Sequence, residues 1–170
     1  MLEKLHGANC SIYISQTDLQ VCSRSYSLVE SESNAFWRAF RSSGLNVNNI
    51  RAAMLNAGIE SLYLYAEVVP TQDLKYGHTN PTLYFYDIRS GLEWWDKSTA
   101  LEFIRMNGGR TAPILYSGPF LGKEQIEKCA NGPEQVSGFN LHMREGVVIS
   151  SGYGPDRKQY KYISFDFMAR

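Results

Sequence analysis

Alternation with a period of two runs through this chain and restricts its fold more than any other feature. In "CSIYIS", "SLYLYAEVV", "TLYFYDI", "EGVVIS" and "KYISFDF", apolar and aromatic residues alternate along the segment, the mark of strands that bury one face. Five such runs predict a substantial sheet. Between them lie helical patterns that stop at glycines: "NAFWRAFRSSG" at Gly44, "NIRAAMLNAG" at Gly58, "KSTALEFIRMNGG" at Gly108 and "KEQIEKCANG" at Gly132. Asp96 is the expected N-cap of the third. Strands come first, then two helices, then strands interrupted by helices. This order departs from the regular alternation of a doubly wound parallel sheet, so the expected class is α+β with largely antiparallel sheets and packed helices.

The chain of 170 residues shows no repeat, low-complexity tract or linker, and one domain over residues 1–170 is expected. Seventeen basic and seventeen acidic side chains cancel, so affinity for a polyanion has to come from a local patch. Cys10, Cys22 and Cys129 are widely spaced and form no C-x-x-C pair, which argues against a disulfide framework and for a reducing, cytoplasmic setting. With no secretory leader and no apolar run approaching the ~18 residues of a membrane span, a soluble, unprocessed protein with no membrane partner is expected. His6, His78 and His142 share no metal-ligand spacing with the cysteines, which disfavours zinc. A G-x-x-x-x-G-K-[ST] cradle is missing. Trp94 and Trp95 with Phe103 read as core under a helix.

Four segments carry candidate chemistry, each with a plainer alternative. Lys4 in "EKLHGAN" is either a solvated terminal charge or a nucleophile. An amine attacks only when deprotonated, so it needs burial or a nearby cation, and Glu3 would oppose this if the two touched. Gly7 would let the backbone approach a ligand closely. Glu67 in "YLYAEVVP" shares a strand face with Tyr63 and Tyr65, opposite Leu64, Ala66 and Val68; it is either partnered there or faces water beside Pro70. Glu145 in "MREGVVIS" is either a solubility charge or, with Glu67, a carboxylate for a sugar hydroxyl and a Mg²⁺ ion. Lys158 and Lys161 in "KQYKYISFDF" are either edge-strand gatekeepers or cations for phosphate.

In order, "EKLHGAN", "SRSYS", "YAEVVPTQDLKYG", "LYFYDIR", "REGVVIS" and "KYISFDF" resemble the successive motifs of covalent nucleotidyltransferases, specifically the RNA ligase 2-like ATP-dependent RNA ligases. The resemblance spans about residues 2–170. It implies the nucleotidyltransferase fold of the ligase catalytic core, an adenylyltransferase domain with ATP-grasp-like character, and a role in RNA repair. The implied cofactors are ATP and Mg²⁺ or Mn²⁺, and the partners are RNA ends or a nicked RNA duplex. Lys4 would be the adenylated nucleophile, with His6 and Asn9 serving the later steps. Arg24 would contact phosphate, Glu67 the ribose hydroxyl and Glu145 the divalent cation. Lys161 would touch the α-phosphate and ease loss of the Lys4 proton. Tyr86 would stack on adenine, with Tyr84 as the alternative, and Lys158 would be the second cation of the last motif. In the family's last motif two lysines often stand one residue apart, whereas here Ile163 holds the second place. Ala66 replaces a usual glycine. Family members carry a further domain, so this chain is expected to be the catalytic domain alone, with grip on RNA supplied by a separate domain or subunit. The alternatives are a ligase-like nucleotide- or RNA-end-binding module that does not seal, or a DNA ligase or capping enzyme.

Overall fold

Alternation along Ser61–Val69 (β4) sorts its side chains: Leu62, Leu64, Ala66 and Val68 are buried on one face, while Tyr63, Tyr65 and Glu67 share the other. The computed structural model describes residues 1–170. In it β4 is the centre of a five-stranded sheet whose other members are Ala8–Ser15 (β2), Leu19–Cys22 (β3), Thr82–Ser90 (β5) and Glu93–Trp94 (β6), in the order β3-β2-β4-β5-β6. A three-stranded sheet joins Leu2–Glu3 (β1), Gly146–Ser151 (β7) and Lys158–Ile163 (β8) in the order β1-β7-β8. Every named strand pair is antiparallel, as the element order implied.

The helices Ala35–Arg41 (α1), Val47–Ala57 (α2) and Lys97–Met106 (α3) cover the apolar face of the large sheet. Trp37, Ile50, Met54 and Ile104 pack with Ile12, Ile14, Leu64 and Phe85 in one core. Burying each such side chain contributes about 1.5–3 kcal/mol. The caps are those the residue types favour: Asn34, Asn46 and Asp96 accept backbone N–H bonds at the three N-termini, and Gly58 takes the left-handed conformation after α2. A second cluster, including Leu2, Leu5, Val69, Tyr76, Tyr84 and Leu101, draws on both sheets. A fourth helix, Lys123–Ala130 (α4), follows α3. No helix is long and apolar enough to cross a membrane.

Two details differ from the sequence reading. The run "SFDF" does not extend β8: Ser164 accepts the Phe167 N–H (3.3 Å) and caps the short helix Phe165–Met168 (α5). Trp94 and Trp95 part company. Trp95 packs edge-on against Phe103 (centroids 5.2 Å apart) under α3, while Trp94 turns to the other face and meets Tyr65 at 5.1 Å.

Candidate active site

Lys4 is positioned by its backbone. Its N–H donates to the Gly146 carbonyl at 2.9 Å, just past the β1–β7 pairing, and the preceding Glu3 N–H donates to Pro113. Strand alternation then sends neighbouring side chains opposite ways. Glu3 is buried away from Lys4, where its carboxylate accepts the Gln135 N–H at 2.8 Å and burial pushes it up to about 7. The carboxylate that holds Lys4 is Glu145, with Nζ–Oε1 at 2.6 Å. His6 approaches the same group, Nδ1–Oε2 at 3.2 Å. The His6 ring lies 5.4 Å from Phe167, and its backbone N–H donates to the Tyr76 hydroxyl at 2.7 Å.

Opposite this cluster stands the polar end of the large sheet. Asn9 on β2 pairs in register with Glu67 on β4. Asn9 donates its amide to the Tyr86 hydroxyl at 2.6 Å. Burial pushes the Glu67 carboxyl up to about 7 and Glu145 adds to this, while Lys4 and Lys161 pull the other way. Burial likewise raises the Tyr86 phenol. A register shift in the β4–β5 pairing sets Tyr65 opposite Asp87 and Ala66 opposite Phe85. Tyr86 is thus the extra residue of a bulge, which re-aims its ring. Its carbonyl accepts from Lys97 Nζ at 2.8 Å. Lys97 and Arg157 both pair with the fully buried Asp87 beside it.

The two sides enclose a cavity of about 620 Å³ lined by Lys4, Asn9, Arg24, Glu67, Tyr86 and Lys161 among others. Residues expected from five separate motifs therefore meet in one place. Arg24 is exposed at the rim and makes no ion pair, leaving its donors free. Lys161 comes from β8, opposite Val148 on β7.

The remaining candidates sit elsewhere. Glu145 and His6 do not line the cavity and reach it only through Lys4. Lys158 is exposed at the far end of β8, opposite Ser151, and also lies outside the lining. Tyr84 packs into the second core and bonds His78 at 2.8 Å, so of these two strand tyrosines it is the bulged Tyr86 that faces the cavity, which Tyr26 and Phe36 also line. Gly7 matters for a different approach than expected. A Cβ there would press on the Val68 carbonyl oxygen and stand 2.8 Å from Glu67 Cγ, so the glycine lets the chain lie against β4. The lining residues that the sequence reading did not single out include Gln72, which donates to the Gly7 carbonyl at 2.5 Å, and Gln159. Their amides carry no pattern that distinguishes them from surface residues.

No cluster of three acidic, histidine or cysteine side chains could cage a metal unaided. Glu145 Oε2 is buried and, although His6 Nδ1 stands 3.2 Å away, it accepts no well-aligned hydrogen bond. That fits a hard cation taking one or two carboxylates and completing its shell with water and phosphate oxygens.

A sequence profile of RNA ligases matches residues 1–163. The chain belongs to the RNA ligase family. Its fold is that of the RNA ligase nucleotidyltransferase domain. A mutant of Naegleria gruberi RNA ligase with ATP and manganese superposes with a TM-score of 0.74 at 23% identity, covering 99% of this chain and 49% of that one. A mutant of the same enzyme with AMP and manganese gives 0.74 at 23% identity, with 99% and 50% covered. An apo mutant gives 0.72 at 24% identity, with 96% and 48% covered. The chain thus spans about half the length of these RNA ligases. None of the curated proteins compared matches it.

Proposed function

We propose that this RNA ligase family member performs the adenylylation chemistry of an ATP-dependent RNA ligase. The Lys4 amine attacks the α-phosphorus of ATP. An N–P bond forms as the P–O bond to the leaving group breaks, pyrophosphate departs, and the amine proton passes to Glu145 Oε1, 2.6 Å away. AMP then moves from Lys4 to an RNA 5′-phosphate, which regenerates the amine. A 3′-hydroxyl finally displaces AMP and joins the strands.

One observation carries this reading. An amine near the start of the chain shares a cavity with a strand carboxylate, an aromatic ring and a late lysine, namely Glu67, Tyr86 and Lys161. In this reading the Tyr86 ring stacks on adenine and Asn9 fixes its hydroxyl. Glu67 takes the ribose hydroxyls, Arg24 grips phosphate at the rim, and Lys161 stabilises charge building on the α-phosphate. His6, held between Tyr76 and Phe167, orients Glu145 for the transfer steps. Lys158 has no part in the cavity. A Mg²⁺ or Mn²⁺ ion, held by Glu145 with Glu67 nearby, would supply neutralisation of phosphate charge. RNA ends or a nicked RNA duplex are the substrates, with a separate domain or subunit adding grip. The free thiols of Cys10, Cys22 and Cys129 suit a reducing cytoplasm.

The test is incubation with α-phosphate-labelled ATP and Mg²⁺, followed by strand joining on 5′-phosphorylated nicked RNA. Label on the wild-type chain, lost in Lys4→Ala, supports the reading, and its absence refutes it. Label without joining leaves a nucleotide-charging module that does not seal. Label from GTP, or joining of nicked DNA in preference to RNA, moves the chain to a capping or DNA ligase activity.

A further inference from the structure

The face of the large sheet that floors the cavity continues beyond it as a row of tyrosines. From Tyr86 the rings run to Tyr65 (6.5 Å between centroids), to Tyr63 (6.4 Å, planes 29° apart) and to Tyr13, which lies opposite Tyr63 on β2 at 5.0 Å. All three outer rings are part-exposed. Over them lies Arg89, its guanidinium 5.3 Å from the Tyr63 ring, 5.9 Å from Tyr65 and 5.6 Å from Trp94.

Cross-strand packing accounts for the rings alone, since facing aromatic pairs stabilise antiparallel strands. It does not account for the arginine. Arg89 pairs with no carboxylate, and its Nε is buried without a hydrogen-bond partner. The nearest acid on the strand, Asp87, is taken by Lys97 and Arg157. A cation kept for solubility would hold its donors in water. This one lies against a row of π faces with its Nε withdrawn from water and no carboxylate paired to it, on the same side of the sheet as the cavity.

We propose that Tyr13, Tyr63 and Tyr65 with Arg89 form a stacking surface for unpaired bases of an RNA strand whose end occupies the Lys4 cavity. Aromatic faces accept any base, and a free guanidinium beside them answers the phosphate that follows each base. The neutral net charge of the chain is no obstacle, because the cation is local. The surface also continues without a break from the ring assigned to adenine, so a strand can pass from one to the other. The proposal rests on the RNA ligase reading above. Its test reads RNA binding alone, so it can fail while adenylylation of Lys4 succeeds, and the reverse.

The experiment is fluorescence anisotropy of a labelled, 5′-phosphorylated single-stranded RNA against the whole chain over a range of salt. Tyr63→Ser should weaken binding roughly tenfold, toward the lower end of what losing one base stack costs, and leave the salt dependence intact. Arg89→Gln should reduce the slope of log affinity against log salt by about 0.7, the signature of one lost phosphate contact on a single strand. Wild-type chain photo-crosslinked to RNA carrying 5-iodouracil should give adducts in the peptides of β2 and β4 that hold Tyr13, Tyr63 and Tyr65; this readout does not depend on the variants folding. Adducts confined to other peptides, or wild-type affinity and slope in both variants, overturn the proposal and leave the ladder as cross-strand packing.

Discussion

Asp87→Asn probes the support beneath Tyr86, the ring proposed to stack on adenine. Asp87 is fully buried and holds two cations: Lys97 Nζ at 2.6 Å, and Arg157, whose Nη1 donates to Oδ1 at 2.6 Å and whose Nη2 donates to Oδ2. The Arg157 side chain is 1% exposed and Lys97 17%. The amide keeps the shape but leaves both positive charges inside without their counter-ion. Losing one partner of a buried pair costs about 3–5 kcal/mol, which for a domain of this size lowers Tm by on the order of 10 °C. The pH dependence tests the cause. Burial already holds the Lys97 ammonium below its ordinary 10.5, with Asp87 pulling it back up. Without Asp87 the folded lysine sheds its proton more readily than the unfolded one. The unfolded chain then binds more protons across the alkaline window, and stability of the variant recovers as pH rises toward 10.5. Urea unfolding at pH 7 and pH 9.5 should show a loss that shrinks at the higher pH. Adding Lys97→Met should restore part of it at pH 7. A loss under about 1 kcal/mol, or one that does not change with pH, would refute the counter-ion argument.

Three further outcomes follow from the same geometry. Glu67 and Glu3 both have folded values near 7 against 4.5 in the unfolded chain, chiefly through burial, so the folded state binds more protons and stability falls as pH rises from 4.5 to 7. Each contributes a loss of roughly 3 kcal/mol that is complete above that window; Glu67→Gln should remove about half of the fall in urea titrations, and an unchanged slope would contradict it. Gly7→Ala forces a methyl against the Val68 carbonyl and Glu67, and should cost about 1–3 kcal/mol of stability as well as slow lysine labelling. Lys161→Ala should slow labelling by about 100-fold, as loss of one charge-stabilising donor does, whereas Lys158→Ala should cost at most about twofold; equal effects would contradict the placement of these two residues.

Long elements with a clear period could be read directly. The alternation of "SLYLYAEVV" foretold β4 to the residue and put Glu67 on the right face. Strands of two to four residues such as β1, β3 and β6 are too short to show a period. In "SFDF" the alternation was present but lost to a local bond, the Ser164 cap on Phe167. The site was legible to the degree that its motifs are: Lys4, Arg24, Glu67, Tyr86 and Lys161 do meet. What could not be read depends on register and distance in the chain. The bulge that separates Tyr86 from Tyr84 exists only in the pairing of β4 with β5. Arg157 and Asp87 lie 70 residues apart, and no local pattern links them. Lys158 and Lys161 look equivalent in sequence, yet β8 carries one to the cavity and the other to its exposed end.

The central claim is that Lys4 becomes covalently charged. Intact-protein mass spectrometry after incubation with ATP and Mg²⁺, with peptide mapping of the product, addresses it directly. The account predicts a gain of one AMP on the peptide containing Lys4, absent in Lys4→Ala and reversed by added pyrophosphate. An uncharged wild-type chain, or AMP found on any other residue, would contradict it.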